Sequence, residues 1–544
     1  MSLLEHPFRE EFSYPRLLIL ALGVIFFIPL LGYVHLFDWD EINFAESARE
    51  MIVSGDYTRV QINFVPFWEK PPLFFWLQAL SMHIFGINEF AARFPNAICG
   101  IVTLLVIYNI GRELYNHRFG MIWSILYLGA LLPHLYFKSG IIDPIFNLFI
   151  FLSIWNLINV IGQEANRNKY AALAGVFVGL AILTKGPVGL LIILLTFLTY
   201  WISVKFKRVA SWQQVLLMAL SAFLVSSLWF GPETIKNGPW FIVSFIEYQI
   251  RLLSTSDAGH QQPLYYHFVV VLIGCFPFSV FAIRKLLSGR KPVAAMQADR
   301  WMRYLFWVVM ILFTIVKTKI VHYSSMAYLP LSFLASLYVY ECISQKQKPD
   351  KWILYFNLVV GVLLSILIIG LAVLLIRKDW LTSLISHPSL NVDVPMIGIE
   401  YFIGVFYLGA TLLVFVYIIK QNRIQKGLFL HALTLGVMLF LSAVFIVPKV
   451  EAYSQRPVIS FYQSLINKDV YVYPLFRTYA HYFYARITPG QSTAGQEREW
   501  FLSGEIDKPV YLVEYSRRAA PIHELSGWTH LYSEGDFSFF RRDP

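Results

Sequence analysis

Thirteen apolar runs, each long enough to cross a bilayer as a helix, dictate what this chain of 544 residues can fold into. They lie near residues 17–37, 90–110, 119–137, 144–161, 170–184, 187–203, 212–231, 263–283, 302–316, 323–343, 352–376, 400–419 and 427–447. A backbone in hydrocarbon must satisfy its own hydrogen bonds, so such runs predict helices and not open strands. The first run is too long for a signal-peptide core and has no small-residue cleavage site; it reads as a first transmembrane helix and not as a removable leader. The stretch from Leu73 to Gly86 is apolar but short, follows a Pro-Pro pair and ends at Asn88-Glu89, which suits a re-entrant or surface helix.

Composition places the chain in the same class: 57% of residues are hydrophobic and 14% charged, as in a polytopic membrane protein. The formal charge of +10 could suggest a nucleic-acid partner, but the basic residues sort by loop. One side of the membrane receives Arg112 and Arg118, Arg167 and Lys169, Lys205 to Arg208, six basic residues between Arg284 and Arg303, Lys346 to Lys351, and Lys420 to Lys426. That side is cytoplasmic by the positive-inside rule, and no nucleic acid is needed to explain the charge. The other side receives Asp38-Trp39-Asp40-Glu41, the region of Asp143, the loop from Pro232 to Pro263, the Lys317 to His322 turn and everything after Pro448. The three cysteines, Cys99, Cys275 and Cys342, have no CxxC spacing and support neither a disulfide framework nor a zinc site.

The fold class expected is therefore an all-α polytopic membrane protein of about thirteen helices over residues 1–448, with a small soluble α/β domain at 449–544. Strand-like runs at Val470 to Tyr473 and Val510 to Val513, and a helix candidate around Phe476 to Ala485, mark that tail. The external loop 38–72 has its own pattern. Ile42, Ala45, Ala48 and Ile52 recur at helical spacing, with Glu46, Arg49 and Glu50 on other faces, which predicts a helix lying on the outer membrane surface.

Two sets of groups on the external side can do chemistry. The carboxylates Asp38, Asp40, Glu41 and Asp143 include candidates for accepting the proton of an attacking hydroxyl or amine. The cations Lys70, Lys185, Arg251, Lys317 and Lys319 suit a phosphate, above all a leaving group that gains negative charge as its bond breaks. Each has a plainer reading. Asp40 could cap the surface helix, Asp143 before Pro144 could be an ordinary N-cap, Lys185 could snorkel to lipid headgroups, and Arg251 could sit on a solvated helix.

Taken together, Asp40-Glu41, Phe44-Ala45-Glu46, Arg49-Glu50-Met51, Ser54-Gly55-Asp56, Phe67-Trp68-Glu69-Lys70-Pro71-Pro72, Phe85-Gly86 and Ala92-Arg93-Phe94-Pro95 resemble the first external loop of bacterial membrane glycosyltransferases of the C-type fold. The resemblance is nearest to the aminoarabinose (4-amino-4-deoxy-L-arabinose) lipid A transferase group, relatives of the protein O-mannosyltransferases. Leu183-Thr184-Lys185-Gly186-Pro187, His260 through Pro263, Lys317 through Lys319 with Tyr323, and Glu451 with Arg456-Pro457 extend it over nearly the full length. It implies inverting transfer of a pentose or hexose from a polyprenyl-phosphate carrier to an acceptor at the periplasmic face of the bacterial inner membrane. The acceptor implied is lipid A, another glycolipid or an exported protein. It further implies Asp40 as catalytic base with Asp143 and Glu41 beside it. Lys70, Arg251 and Tyr323 are implied at the donor phosphate, with Lys185 and Lys319 as further candidates and Glu69 and Asp38 supporting the loop. A monophosphate leaving group needs cations but not necessarily a metal, so no cofactor is required and a divalent metal, though possible, is not indicated, in keeping with the lack of any His/Asp/Glu cluster at clear ligand spacing. The rival from another class, a transporter or lipid flippase, calls for ionisable groups near the midplane, whereas the notable charges here cluster at outer helix ends. The turn Lys319-Ile320-Val321-His322-Tyr323 is distinctive for this chain and leaves its acceptor open.

Overall fold

The structure is a computed structural model that describes residues 14–163, 165–254, 262–287, 296–377, 387, 389, 392, 394–395, 397–421 and 424–544. Residues 255–261, with His260 and most of the Ser254 to Gly259 loop, lie outside that description, as do residues 288–295 of the basic Arg284 to Arg303 loop.

Each predicted run contains helix, though not always as one full-length span. In chain order these are α1 (Pro15–Phe27), the external α2 (Asp40–Ser54) and α3 (Leu73–Phe85), then α4 (Glu89–Leu114), α5 (His117–Leu128), α6 (Leu131–Tyr136), α7 (Asp143–Gly162), α8 (Arg167–Lys185), α9 (Val188–Ser203), α10 (Trp212–Asn237) and α11 (Trp240–Ser254). The second half continues with α12 (Tyr266–Gly274), α13 (Phe278–Leu287), α14 (Met296–Ile315), a 3-10 turn (Val321–Ala327) leading into α15 (Tyr328–Ser344), α16 (Lys351–Ile376), and the helices Glu400–Gln421 and Ile424–Phe445. Among the described residues seven helices are long and apolar enough to cross a membrane. The chain is thus a multi-pass membrane protein.

The first run stops short, α1 ending at Phe27 with turns and bends over 28–34, and two further runs expected as single spans are broken. The 119–137 run divides after α5 at Gly129, where a Cβ would sit 2.3 Å from that of Ala432, so close approach of the Ile424–Phe445 helix takes the place of a straight helix. The 263–283 run divides at Cys275-Phe276-Pro277, because proline cannot supply the amide that a continuous helix needs. Lipid exposure distinguishes the remaining helices. Of the most apolar window of α10 only 6% is buried, against 78% of that of α7, which puts α7 at the bundle centre and α10 at its edge.

Helix α2 departs from expectation. Its helical spacing is as predicted, yet its charged faces are covered: Glu46, Arg49 and Glu50 are all buried. The cover is the C-terminal tail. Arg49 pairs with Glu46 at 2.7 Å and donates to the Ile487 carbonyl, while Glu50 accepts from the amides of Asn63 and Phe64 in the hairpin formed by β1 (Gln61–Ile62) and β2 (Val65–Pro66). The surface helix is therefore clamped between the bundle and the tail.

The tail carries a mixed four-stranded sheet built from β3 (Tyr471–Pro474), β4 (Val510–Tyr515), β5 (Trp528–Glu534) and β6 (Phe537–Arg542), ordered β3-β4-β6-β5. β3 and β4 are the two strand-like runs of the sequence and pair in parallel; the β5–β6 hairpin adds on antiparallel. Val472, Val513 and Phe539 belong to the same buried cluster as the bundle core, so one face of the sheet packs inward. Glu451 fixes the approach, pairing with Arg456 of the tail and, at 2.8 Å, with His35 just upstream of the acidic motif.

Candidate functional site

The external ends of α2, α7, α8 and the 3-10 turn converge on one cluster of charges. Asp40 and Asp143 are each the first residue of their helix, α2 and α7, but neither caps it: the preceding residues Trp39 and Ile142 stand at the N-cap without a side-chain cap bond. The capping readings of both therefore fail. Asp143 Oδ1 instead accepts from Lys185 Nζ at 2.6 Å, with both side chains largely buried. Helix polarity favours this pair, since Asp143 meets the positive end of α7 and Lys185 the negative end of α8. Lys185 is held there by the turn after it. Gly186 adopts φ +82° and a Cβ would strike the Phe245 ring at 2.2 Å, so the chain leaves α8 sharply under α11 and keeps the lysine from snorkelling outward.

Glu41 is fully engaged in structure. Its carboxylate receives two bonds from Arg93, at 2.9 and 2.8 Å, plus the amides of Phe37 and Gly140. Burial pulls its pKa upward, but the Arg93 charge and these donors hold it below the ordinary carboxylate range. Arg93 also binds the carbonyls of Leu31, Val34 and His35. One buried pair thus ties the end of the first helix, the acidic motif and the Gly140 loop that leads to Asp143.

The cations surround an aromatic ring that sequence reasoning passed over. Lys70 Nζ and the Arg251 guanidinium each lie 5.2 Å from the centre of Tyr248, whose hydroxyl donates to Glu69 at 3.3 Å and whose edge meets Trp68. Tyr248 stands three residues before Arg251, on the same face of α11, and that spacing was the available signal. Burial lowers the pKa of Lys70, while the neighbouring Glu69 and Asp40 carboxylates act in the opposite direction. A cavity of about 70 Å³ lies alongside, lined both by polar side chains, among them Lys70, Asp143, Lys185, Gln249 and Tyr323, and by apolar ones, among them Val188 and Ile192 of α9 and Phe313 of α14. Lys185 Nζ sits 5.1 Å from the Tyr323 ring centre. The arrangement suits a phosphate joined to an apolar chain, anion against cations and hydrocarbon against the bundle.

Comparison with known proteins shows what this frame is similar to. Residues 69–229 match the family described as dolichyl-phosphate-mannose-protein mannosyltransferase. An undecaprenyl phosphate-alpha-4-amino-4-deoxy-L-arabinose arabinosyl transferase of Proteus mirabilis is 25% identical over 63% of this chain and 61% of its own length; one of Edwardsiella ictaluri is 27% identical over 68% and 66%. The matched region thus spans a little under two thirds of these relatives. The crystal structure of ArnT from Cupriavidus metallidurans bound to undecaprenyl phosphate superposes with a TM-score of 0.72 over 96% of this chain and 97% of that one, at 16% identity. The chain has the fold of the ArnT glycosyltransferases.

Within this ArnT fold the residues singled out from sequence fall into three groups. Asp40, Asp143, Lys70, Lys185 and Tyr323 are gathered around the cavity and its rim. Glu69, Arg251 and Asp38 stand one layer away: Glu69 and Arg251 around Tyr248, and Asp38 facing Thr478 and Tyr479 of the tail. Lys319 is buried and donates to the Val316 carbonyl at 2.9 Å, closing the end of α14 outside the cavity lining. Two further side chains come from elements without an obvious motif. Asn147, one turn after Asp143 on α7, donates to Ser325 and fastens the 3-10 turn. His322 of that turn points Nε2 at both carboxylates, 3.5 Å from Asp40 Oδ2 and 3.8 Å from Asp143 Oδ2.

Proposed function

We propose that this protein is an inverting glycosyltransferase that moves a sugar from a polyprenyl-phosphate carrier to lipid A or another glycolipid. The reaction takes place at the periplasmic face of the bacterial inner membrane. The observation that carries the reading is that one cavity is lined both by the charges of Lys70, Lys185 and Asp143 and by apolar side chains of α9 and α14, while His322 faces Asp40 and Asp143 together. The arabinosyl transferases whose sequences this chain resembles, and the ArnT structure with undecaprenyl phosphate bound, supply the chemical class of the donor.

In this reading Asp40, a third exposed at the cavity rim, accepts the proton of the attacking acceptor hydroxyl. The new bond forms at the anomeric carbon on the face opposite the carrier, and the bond from that carbon to the phosphate oxygen breaks. The departing oxygen takes the electron pair. Lys70, with Arg251 beside the same Tyr248 ring, meets the growing phosphate charge. Asp143 positions Lys185, and the Glu41–Arg93 pair fixes the helix start that aims Asp40.

Exported protein is the second acceptor class, favoured by the mannosyltransferase match over residues 69–229. The direct test incubates the purified protein in detergent with undecaprenyl phosphate carrying a radiolabelled sugar, offering lipid A and an unfolded exported protein in separate reactions. Label on lipid A with loss of donor is the expected result. Label on protein alone would move the acceptor assignment, and uptake of donor into liposomes without transfer to either would replace the enzyme by a lipid transporter.

A further inference from the structure

We infer that His322 is a positioning residue that couples Asp40 to Asp143 and takes from Asp40 the proton that the acceptor gives up. Three observations place it. Its Nε2 faces Asp40 Oδ2 at 3.5 Å and Asp143 Oδ2 at 3.8 Å, near hydrogen-bond reach of both. Asp143 Oδ2 is buried and has no hydrogen-bond partner, although its sister oxygen is held by Lys185, so the N–H that forms when His322 Nε2 takes up a proton has an acceptor waiting. The imidazole is itself fixed: its side chain is 14% exposed, its edge packs against Tyr323, and the turn that carries it is fastened by Asn147 to Ser325.

The chemistry follows from the order of proton affinities. A carboxylate that strips a hydroxyl in the transition state is left as a carboxylic acid, a poor place to keep a proton near neutral pH. A neutral imidazole within reach is more basic, and two flanking carboxylates stabilise its charged form. The proton therefore moves from the acceptor oxygen to Asp40 and on to His322 Nε2, and leaves to solvent after the product departs. The electron pair of the acceptor O–H bond becomes the new glycosidic bond, and that of the old one departs on the carrier phosphate. Other charged or titratable groups face this turn: Lys185 through its bond to Asp143, Tyr323 beside the ring, and Lys319 with His267 of α12 behind it. The two lysines oppose a charge on His322 and the two carboxylates favour it, and the carboxylates are the groups its Nε2 faces directly.

This coupling rests on the glycosyltransferase reading for its purpose but not for its detection. The imidazole can be followed by 15N NMR in histidine-labelled full-length protein in detergent, with the His322 signal assigned by its loss in His322→Gln. Removing either carboxylate removes a negative charge that its Nε2 faces, so the midpoint should be lower in Asp40→Asn and again in Asp143→Asn than in the parent, by about 0.5 pH units or more. A midpoint that moves in neither variant overturns the coupling, whether or not sugar is transferred. With transfer established, His322→Gln should keep the parent's donor affinity, lose the low-pH limb of kcat and lower kcat on the order of 10- to 100-fold. His322→Ala should regain turnover with added imidazole. Parent kcat and pH profile in His322→Gln, or weakened donor binding with unchanged kcat, would remove the relay.

Discussion

Asp40 and Lys70 sit within one electrostatic neighbourhood yet should fail in different ways when changed. Asp40→Asn keeps size and hydrogen-bonding capacity but cannot take a proton, so transfer should fall by about two to four orders of magnitude while binding of undecaprenyl phosphate stays near the parent's. Lys70→Met and Arg251→Met remove charge that the carrier phosphate meets in the ground state and more strongly as its bond breaks, so donor affinity and turnover should fall together. Binding measurements on the three purified variants make the comparison. Equal affinity in the two methionine variants and the parent would place the phosphate elsewhere, with Lys185 next in line because it lines the same cavity.

At the scale of elements, the buried acidic pair on α2 makes a pH-dependent joint between the bundle and the tail. Burial, with Glu46 adding to it, pushes Glu50 up to about 9, so at neutral pH Glu50 holds a proton beside the Glu46–Arg49 ion pair. A carboxyl that binds its proton more tightly folded than unfolded stabilises most fully below its ordinary pKa. That contribution is lost as pH rises toward 9. The thermal midpoint should therefore decline across that window in the parent, and Glu50→Gln, neutral throughout, should flatten the decline. Arg49→Met leaves Glu46 charged and buried without its partner and should destabilise by about 3–5 kcal/mol. Sequence periodicity found α2 and its apolar stripe, but it could not find the cover. Arg49 and Glu50 look solvated when only their own helix is considered, and the partners Ile487 and Asn63 lie 438 and 13 residues away. The site was legible to the same degree. Asp40, Asp143, Lys70 and Lys185 announce themselves as charges at helix ends, whereas Tyr248 and His322 acquire meaning only when α11 and the 3-10 turn are brought beside them.

For the whole molecule, the contacts of the tail tie the site to the side of the membrane that the tail occupies. His35 and Glu451 pair at 2.8 Å, the Tyr484 hydroxyl accepts from the Leu36 amide, and the Arg477 guanidinium lies 4.4 Å from the centre of the Trp39 ring, so the acidic motif is gripped by the tail on both sides. Asp40 and residues 449–544 must then share one side of the bilayer. In the proposed topology the opposite side, with the basic residues Arg112, Arg118 and Lys169, is cytoplasmic. A reporter that is active only after export, fused to Pro544, should score positive, and one fused within the Lys205 to Arg208 loop negative. The tail contacts also predict more than topology. Weakening the grip without truncation, as in Glu451→Gln combined with Arg477→Ala, should lower turnover more than donor affinity, because Lys70 and Lys185 keep the phosphate end while the start of α2 that aims Asp40 loses its hold. A fused reporter that works only inside the cell would place tail and carboxylates together in the cytoplasm, where nucleotide-activated sugars are at hand and a lipid-linked donor has no advantage.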